Sequence, residues 1–281
     1  MKDRVLLTGA TGFVGRQVLA DLARRGLAVR VVLRPDQPVP EEAEAALRTP
    51  DALAEGPAWW QAACTDIITV IHCAWHVTPS EYLNSPLNTR CLVGTLRLGQ
   101  GALAAGVQRV VGIGTCFEYD LRARVLSTDT ALAPETPYAL AKVAAFHGLS
   151  GLFAGTDTRF SWARLFHLYG EGEKPGRLVS YLRAQLEAGE PAELTRGTQI
   201  RDFMDVAEAG ALIVDLALSA HEGAANICSG VPITTRQLAE RIADGYGRRD
   251  LLRFGARAEH LVDPDCILGI PTRLPAEEER I

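Results

Sequence analysis

The sequence predicts an α/β fold, a doubly wound parallel sheet with a small C-terminal lobe over the strand ends. Three observations predict it. An apolar strand-like run at the N-terminus passes straight into a glycine triplet and a helical pattern, Val5 to Arg25. Two further runs, Asp66 to Cys73 and Val107 to Ile113, are nearly continuous in β-branched residues, as in strands buried on both faces. A helical pattern, Asn88 to Ala105, separates those two runs, which is the alternation that feeds a parallel sheet. The 281 residues suit one large domain, or one with a smaller lobe, and 47% hydrophobic content suits a sizeable core. The expected division places 1–170 and 195–230 in the sheet domain, and 171–194 and 231–281 in the lobe.

Bulk properties exclude several classes. A net charge of −5 leaves no nucleic-acid footprint, so an anionic ligand must be met by local arginines. No apolar run reaches membrane-spanning length and the N-terminus has no signal-peptide pattern, so the expectation is a cytoplasmic protein with no membrane partner. The six cysteines are scattered, with no C-x-x-C pair and no metal-ligand spacing, and are expected to be reduced thiols.

The N-terminal run carries Gly9, Gly12 and Gly15 in a G-x-x-G-x-x-G spacing. Strand, glycine turn and helix together present backbone N–H groups and a helix N-terminus to a pyrophosphate. The second strand, Val29 to Leu33, ends at Arg34. An acidic residue at that point would accept from a ribose 2′-hydroxyl and mark NAD. Arg34, with Arg16 just after the glycine turn, favours a 2′-phosphate and hence NADP. Asp36 keeps NAD as the alternative.

Residues 35–56 read as a loop with one short helix, and Trp59 and Trp60 as packing residues. The strand ending at Cys73 delivers His72-Cys73-Ala74-Trp75-His76 to the edge where a cofactor would lie, with His72 structural or in the cofactor wall and His76 further out. The strand ending at Ile113 delivers Thr115 to the same edge. Pro137-Tyr138-Ala-Leu-Ala-Lys142 then places Tyr138 and Lys142 at i and i+4 on one helix face. A nearby ammonium favours phenolate. The phenol can then exchange a proton with an alcohol or carbonyl as hydride moves, with Thr115 on the same oxygen. Later segments read as a helix over Val206 to Leu218, a strand and turn over Ala225 to Gly230, a helix over Thr235 to Gly245 stopped by glycine, and a frayed 276–281 end.

These residues resemble the extended short-chain dehydrogenase/reductases, in particular the NAD-dependent epimerase/dehydratase family and its nucleotide-sugar branch. The stretch 8–15 is similar to the family's cofactor turn, His72-Cys-Ala to its fourth strand end, and Thr115, Tyr138 and Lys142 to its catalytic trio. Arg164 to Gly170 resembles its Arg-x-x-Asn-x-Tyr-Gly stretch, and Gly197 to Val206 its Arg-Asp-Phe/Tyr-x-x-Val segment. The resemblance implies a Rossmann-like fold in which Gly9, Thr11, Gly12, Phe13, Val14, Arg34, Cys73, Ala74, Tyr138 and Lys142 hold the cofactor. It implies a substrate side formed by His76, Cys116, His167, Arg177 and Arg201, with Arg201 on a diphosphate and Arg177 a second candidate. A surface or structural Arg201–Asp202 pair is the competing reading. It also implies a homodimer through the helix bearing Tyr138 and its neighbour, Asn88 to Ala105.

The departures narrow the chemistry. Dehydratases of this branch carry Asp-Glu directly after the strand-end Thr, where this chain has Cys116 and Phe117, which argues against 4,6-dehydration. His167 stands where the family has Asn, and Gly269-Ile-Pro lacks the Trp of the family's final motif, so the lobe is reduced. The leading expectation is a ketoreductase on a nucleoside-diphosphate (deoxy)sugar. An epimerase with a recycled cofactor, a reductase of a non-nucleotide carbonyl, and a non-catalytic cofactor-sensing protein are the alternatives.

Overall fold

The structure is a computed structural model that describes residues 4–79, 81–258 and 264–274. The first half of the chain supplies strands β1 (Arg4–Thr8), β2 (Ala28–Leu33), β3 (Ala45–Arg48), β4 (Thr69–His72), β5 (Arg109–Thr115) and β6 (Val125–Leu126). The second half supplies β7 (Arg159–Leu165), β8 (His167–Tyr169), β9 (Ala192–Leu194), β10 (Ile200–Asp205), β11 (Gly223–Ile227), β12 (Pro232–Thr234), β13 (Leu252–Phe254) and β14 (Cys266–Gly269). The helices are α1 (Phe13–Arg24), α2 (Pro57–Ala63), α3 (Leu87–Ala104), α4 (Pro137–Phe153), α5 (Leu178–Ala188), α6 (Val206–Leu218) and α7 (Thr235–Tyr246). The 276–281 end lies outside the described residues.

Seven parallel strands form the main sheet in the order β11-β7-β5-β4-β1-β2-β3. The order reverses between β1 and β4, which opens a crevice at their carboxyl ends. Alternation along each strand sends neighbours to opposite faces. Val5, Leu7 and Val111 join Val18, Leu22, Ile213 and Val214 beneath α1 and α6. Leu6 and Val110 join Trp60, Leu98, Leu149 and Trp162 beneath α2, α3 and α4. Trp60 is therefore core, with Trp59 packed edge-on to it. Burying each large apolar side chain contributes about 1.5–3 kcal/mol.

Several boundaries differ from the sequence reading, and three of them have a local cause. Residues 45–48 form the edge strand β3, with Arg30 opposite Ala45 and Leu33 opposite Arg48, inside a stretch read as loop. Its Ala-Ala-Leu-Arg sequence has weak strand propensity, and the ladder to β2 holds it. β4 starts at Thr69 because Asp66 takes a positive φ of 61° in the preceding turn. α7 runs through Gly245 and stops at Gly247, whose left-handed φ of 64° makes the C-cap.

A second sheet, β12-β10-β14-β6, lies at the carboxyl ends of the main strands, with β8 attached to β10. β10 runs antiparallel to β12 and parallel to β8 and β14. α5 and α7 pack over the small β13-β9 pair through Leu182, Leu194 and Ala239. All six cysteines are free.

Candidate active site

The glycine turn is built by contact. At Gly9, φ is +71° and an added Cβ would lie 2.8 Å from Ala74 N, so β1 and β4 deliver Cys73-Ala74 directly against it. At Gly15 an added Cβ would lie 2.1 Å from Gly9 O, so only a glycine lets α1 approach the turn. Gly12 is the N-cap of α1 and has no side chain to satisfy the first-turn N–H groups, which Phe13 and Val14 carry toward the crevice. Thr11 closes the turn by accepting at Oγ1 from Gln37 Nε2 at 2.8 Å. These residues fit a dinucleotide pyrophosphate: the cradle has no room for side chains and offers free donors to an anion.

His72 is buried between Thr8 Oγ1 (2.7 Å) and Thr95 Oγ1 (2.9 Å). Burial first, and then the Lys142 charge, lower its pKa to about 3, so it is a neutral structural strut. His76 sits further out, with its N–H 3.3 Å from Cys91 Sγ.

The structure brings Thr115, Tyr138 and Lys142 together. Thr136 caps α4 by accepting from Ala139 N, and Pro137 opens it, which sets Tyr138 in the first turn. The Thr115 side chain acts on the Tyr138 hydroxyl, opposing in small part the effect of burial on it. Lys142 Nζ donates to Ile113 O at 2.6 Å. It lies 3.6 Å from the Trp75 ring centroid and 5.8 Å from that of Tyr138. Burial lowers the Lys142 pKa to about 7. The expected lowering of the Tyr138 pKa is not found. Its pKa is raised from 10, by burial first and then by Tyr82, Glu118 and Cys116. Desolvation of the phenolate outweighs an ammonium whose hydrogen bond goes to a carbonyl.

Several residues of this cluster were not singled out from sequence. Glu118, fully buried, accepts from Thr115 N (2.9 Å), Trp162 Nε1 (2.9 Å) and Arg164 Nε (2.7 Å). Thr115-x-x-Glu118 is a capping box, and that spacing was the available signal. Arg164 continues to the Tyr119 hydroxyl (3.0 Å), which donates to Asn226 (2.6 Å). Asn88, also buried, accepts from Trp75 Nε1 (2.9 Å) and donates to Tyr82 O (2.6 Å). One amide thus fixes the ring over Lys142 and the backbone of Tyr82, whose ring packs edge-on to Tyr138 at 4.9 Å.

On the substrate side, His167 lies edge-on to Phe117 (6.1 Å) and Phe203 (5.7 Å). Its Nδ1 is buried without a hydrogen-bond partner. Burial, then Arg201 and Arg177, lower its pKa to about 3. Arg201 is buried, with Nη1 donating to Ile200 O at 2.8 Å. The neighbouring Asp202 carboxylate accepts from Ser229 N and Oγ (both 2.7 Å), Gly230 N (2.9 Å) and Gly269 N (3.2 Å). Arg177, at the N-cap of α5, stands over the Tyr82 ring at 5.5 Å. The Cys116 thiol is buried and its pKa is pushed up to about 12, so it stays protonated and serves as wall. The Cys73 thiol is likewise raised to about 12 by burial.

Arg34 and Arg16 each have contacts of their own. Arg34 pairs loosely with Asp36 (3.7 Å), whereas Arg16 donates to Thr11 O (3.2 Å) and packs under Gly172. Among the described residues no group of three or more His, Cys, Asp or Glu could hold a metal, and no helix is long and apolar enough to cross a membrane.

The chain is similar to known proteins over most of its length. The chain is 28% identical over 263 residues to GDP-6-deoxy-D-mannose reductase of Pseudomonas aeruginosa, covering 87% of this chain and 80% of that one. It is 24% identical over 248 residues to dTDP-6-deoxy-L-talose 4-dehydrogenase (NAD(+)) of Aggregatibacter actinomycetemcomitans, covering 84% and 88%. MoeE5, solved with UDP-glucose and NAD, superposes with a TM-score of 0.79 at 27% identity, covering 95% of this chain and 89% of that one. With residues 5–228 matching its sequence profile, the chain belongs to the NAD dependent epimerase/dehydratase family.

Proposed function

We propose that the protein is a ketoreductase acting on a nucleoside-diphosphate (deoxy)sugar, with NADP(H) preferred over NAD(H). The observation that carries this reading is the buried cluster of Thr115, Tyr138 and Lys142, with Lys142 anchored to Ile113 O, at the carboxyl end of β5 beside the glycine turn. When bound, the nicotinamide supplies or accepts hydride. Tyr138, kept protonated by burial, donates its hydroxyl proton to the ketone oxygen as the carbonyl becomes an alcohol. Thr115 donates to the same oxygen and holds its direction. Lys142 places positive charge beneath that oxygen. Arg201 and Arg177 hold the diphosphate, with the unpaired His167 Nδ1 available to a substrate oxygen. Two relatives named for nucleotide 6-deoxysugar chemistry support the substrate class. Segments 1–170 and 195–230 make up the dinucleotide domain, which also lends His167 and Arg201 to the sugar nucleotide, and 171–194 and 231–281 make up the small substrate lobe. Two copies pair through α3 and α4, where Leu87, Val93 and Leu140 are exposed apolar side chains. Sedimentation showing only monomer would end that part.

The test is a stoichiometry. Purified protein is mixed with NADPH or NADH and a panel of nucleotide 4-keto- and 4-hydroxy-sugars, following nicotinamide absorbance and product together. One cofactor oxidised per sugar converted is the expected result. Conversion without net cofactor change would make the protein an epimerase, using the same Thr115, Tyr138 and Lys142.

A further inference from the structure

The Lys142 ammonium is held on two sides. Nζ donates to Ile113 O at 2.6 Å and stands 3.6 Å from the centroid of the Trp75 ring, where a cation is drawn to an aromatic face. The rings of Tyr138 and Trp162 are further off, at 5.8 and 5.7 Å. Lys142 is buried, so water does little to solvate its charge. The indole itself is clamped. Its Nε1 donates to Asn88 Oδ1 at 2.9 Å, while Asn88 Nδ2 donates to Tyr82 O (2.6 Å) and Ser85 O (3.0 Å). A flipped amide would set donor against donor at the indole and acceptor against acceptor at both carbonyls, so buried Asn88 fixes one orientation. Ala74, next in the chain, is pinned through its N–H to Thr8 Oγ1 (3.2 Å). The indole is thus tied to α3 by its own nitrogen and to β1 through its neighbour.

We propose that Trp75 is a positioning residue of the candidate site: its indole face, clamped by Asn88, holds the Lys142 ammonium against Ile113 O and so fixes where that charge acts. The inference rests on the reading of Tyr138 and Lys142 as the reacting pair, and adds what keeps the lysine in place. An aromatic face suits this task. A carboxylate at the same spot would pair with the ammonium and cancel its field at the reacting oxygen, whereas a ring attracts the cation and leaves its charge in force. The titratable groups around Lys142 are His72 of β4, Cys73 after it, Cys91 of α3, Glu118 after β5 and Tyr138 of its own helix. His72 is neutral, and burial keeps the Cys73 and Cys91 thiols and the Tyr138 phenol protonated. Glu118 favours the ammonium but is engaged with Thr115, Trp162 and Arg164.

The experiment follows the charge first and turnover second. Protein labelled at lysine Cε is titrated by NMR as wild type, Trp75→Leu, Trp75→Phe and Trp59→Leu. Trp75→Leu should move the Lys142 midpoint down by about one pH unit, because a desolvated cation loses its ring. Trp75→Phe keeps a ring but has no N–H for Asn88, and should fall between. Trp59→Leu should leave the midpoint in place. With NADPH and a nucleotide 4-keto-sugar, the alkaline limb of the kcat profile should move down with the NMR midpoint in Trp75→Leu, with KM for the sugar nucleotide unchanged. A tryptophan that only packs would change Tm and move neither. A midpoint unchanged or raised in Trp75→Leu overturns the inference, as do equal shifts in Trp75→Leu and Trp75→Phe. An alkaline limb that stays put while the NMR midpoint moves overturns it too. The expected NMR shifts in a protein whose wild type reduces no nucleotide keto-sugar keep Trp75 as the holder of the charge and overturn the ketoreductase reading instead.

Discussion

Replacing Glu118 by Gln tests whether the candidate site is held by a buried charge. The side chain is fully buried and its two oxygens receive Thr115 N, Trp162 Nε1 and Arg164 Nε. Glutamine has the same shape, but one oxygen becomes an NH₂ donor. If the amide oxygen stays with Thr115 and Trp162, the NH₂ faces the Arg164 Nε–H. If the amide flips, Thr115 N loses its acceptor. Either way the Arg164 guanidinium, 2% exposed, loses its counter-charge. Breaking one side of a buried pair costs about 3–5 kcal/mol. For a chain of this size that is roughly 6–20 °C in Tm. Calorimetry and urea denaturation on Glu118→Gln measure it. Glu118→Gln with Arg164→Met should be more stable than Glu118→Gln alone, because no uncompensated charge then remains. A loss below about 1 kcal/mol in the single variant, or no recovery in the double, would refute the account.

Three other perturbations follow from the same geometry. Tyr138→Phe should lower turnover by about 10²–10⁴-fold with little change in Tm, since it removes only the proton donor; steady-state kinetics check it. Gly15→Ala should destabilise by about 1–3 kcal/mol and weaken dinucleotide binding, since its methyl would sit 2.1 Å from Gly9 O, as read by thermal melts and cofactor titration. Lys142, one of three lysines in the chain, should titrate near pH 7 in an NMR spectrum of protein labelled at lysine Cε. Its folded pKa lies below 10.5, so the ammonium is lost as pH rises through about 7, and any step needing it slows there. Over the same span the unfolded chain still binds the proton, so this group's contribution to stability grows between about pH 7 and pH 10. A midpoint above 9 would contradict the burial argument.

The fold was largely legible because its signals are local. Val5 to Gly15 announces strand, turn and helix by composition alone, and α6 begins and ends where the apolar period does. β3 was hidden because its alanines carry no strand signal and only the β2 ladder explains them. In the site, residue types and spacing named Thr115, Tyr138 and Lys142, and the family resemblance named His167 and Arg201. They could not name Asn88 or Trp75, whose roles depend on a meeting between the loop after β4 and the start of α3. Nor could they reveal that burial dominates the Tyr138 pKa, a property of the packed surroundings.

The Asp202 contacts and the pairing of β14 imply an order of events during synthesis. The main sheet is complete once β11, ending at Ile227, has emerged. β14 lies between β10 and β6, and Gly269 N closes the ring of donors on Asp202. Until residues 266–269 leave the ribosome, β6 has no partner strand and the Arg201 strand lacks one edge. The dinucleotide half can therefore form while the chain is still growing, whereas the substrate half waits for residues 266–269. Ribosome-stalled chains ending near residue 230 should protect β1 to β5 from proteases and leave β10 open to them.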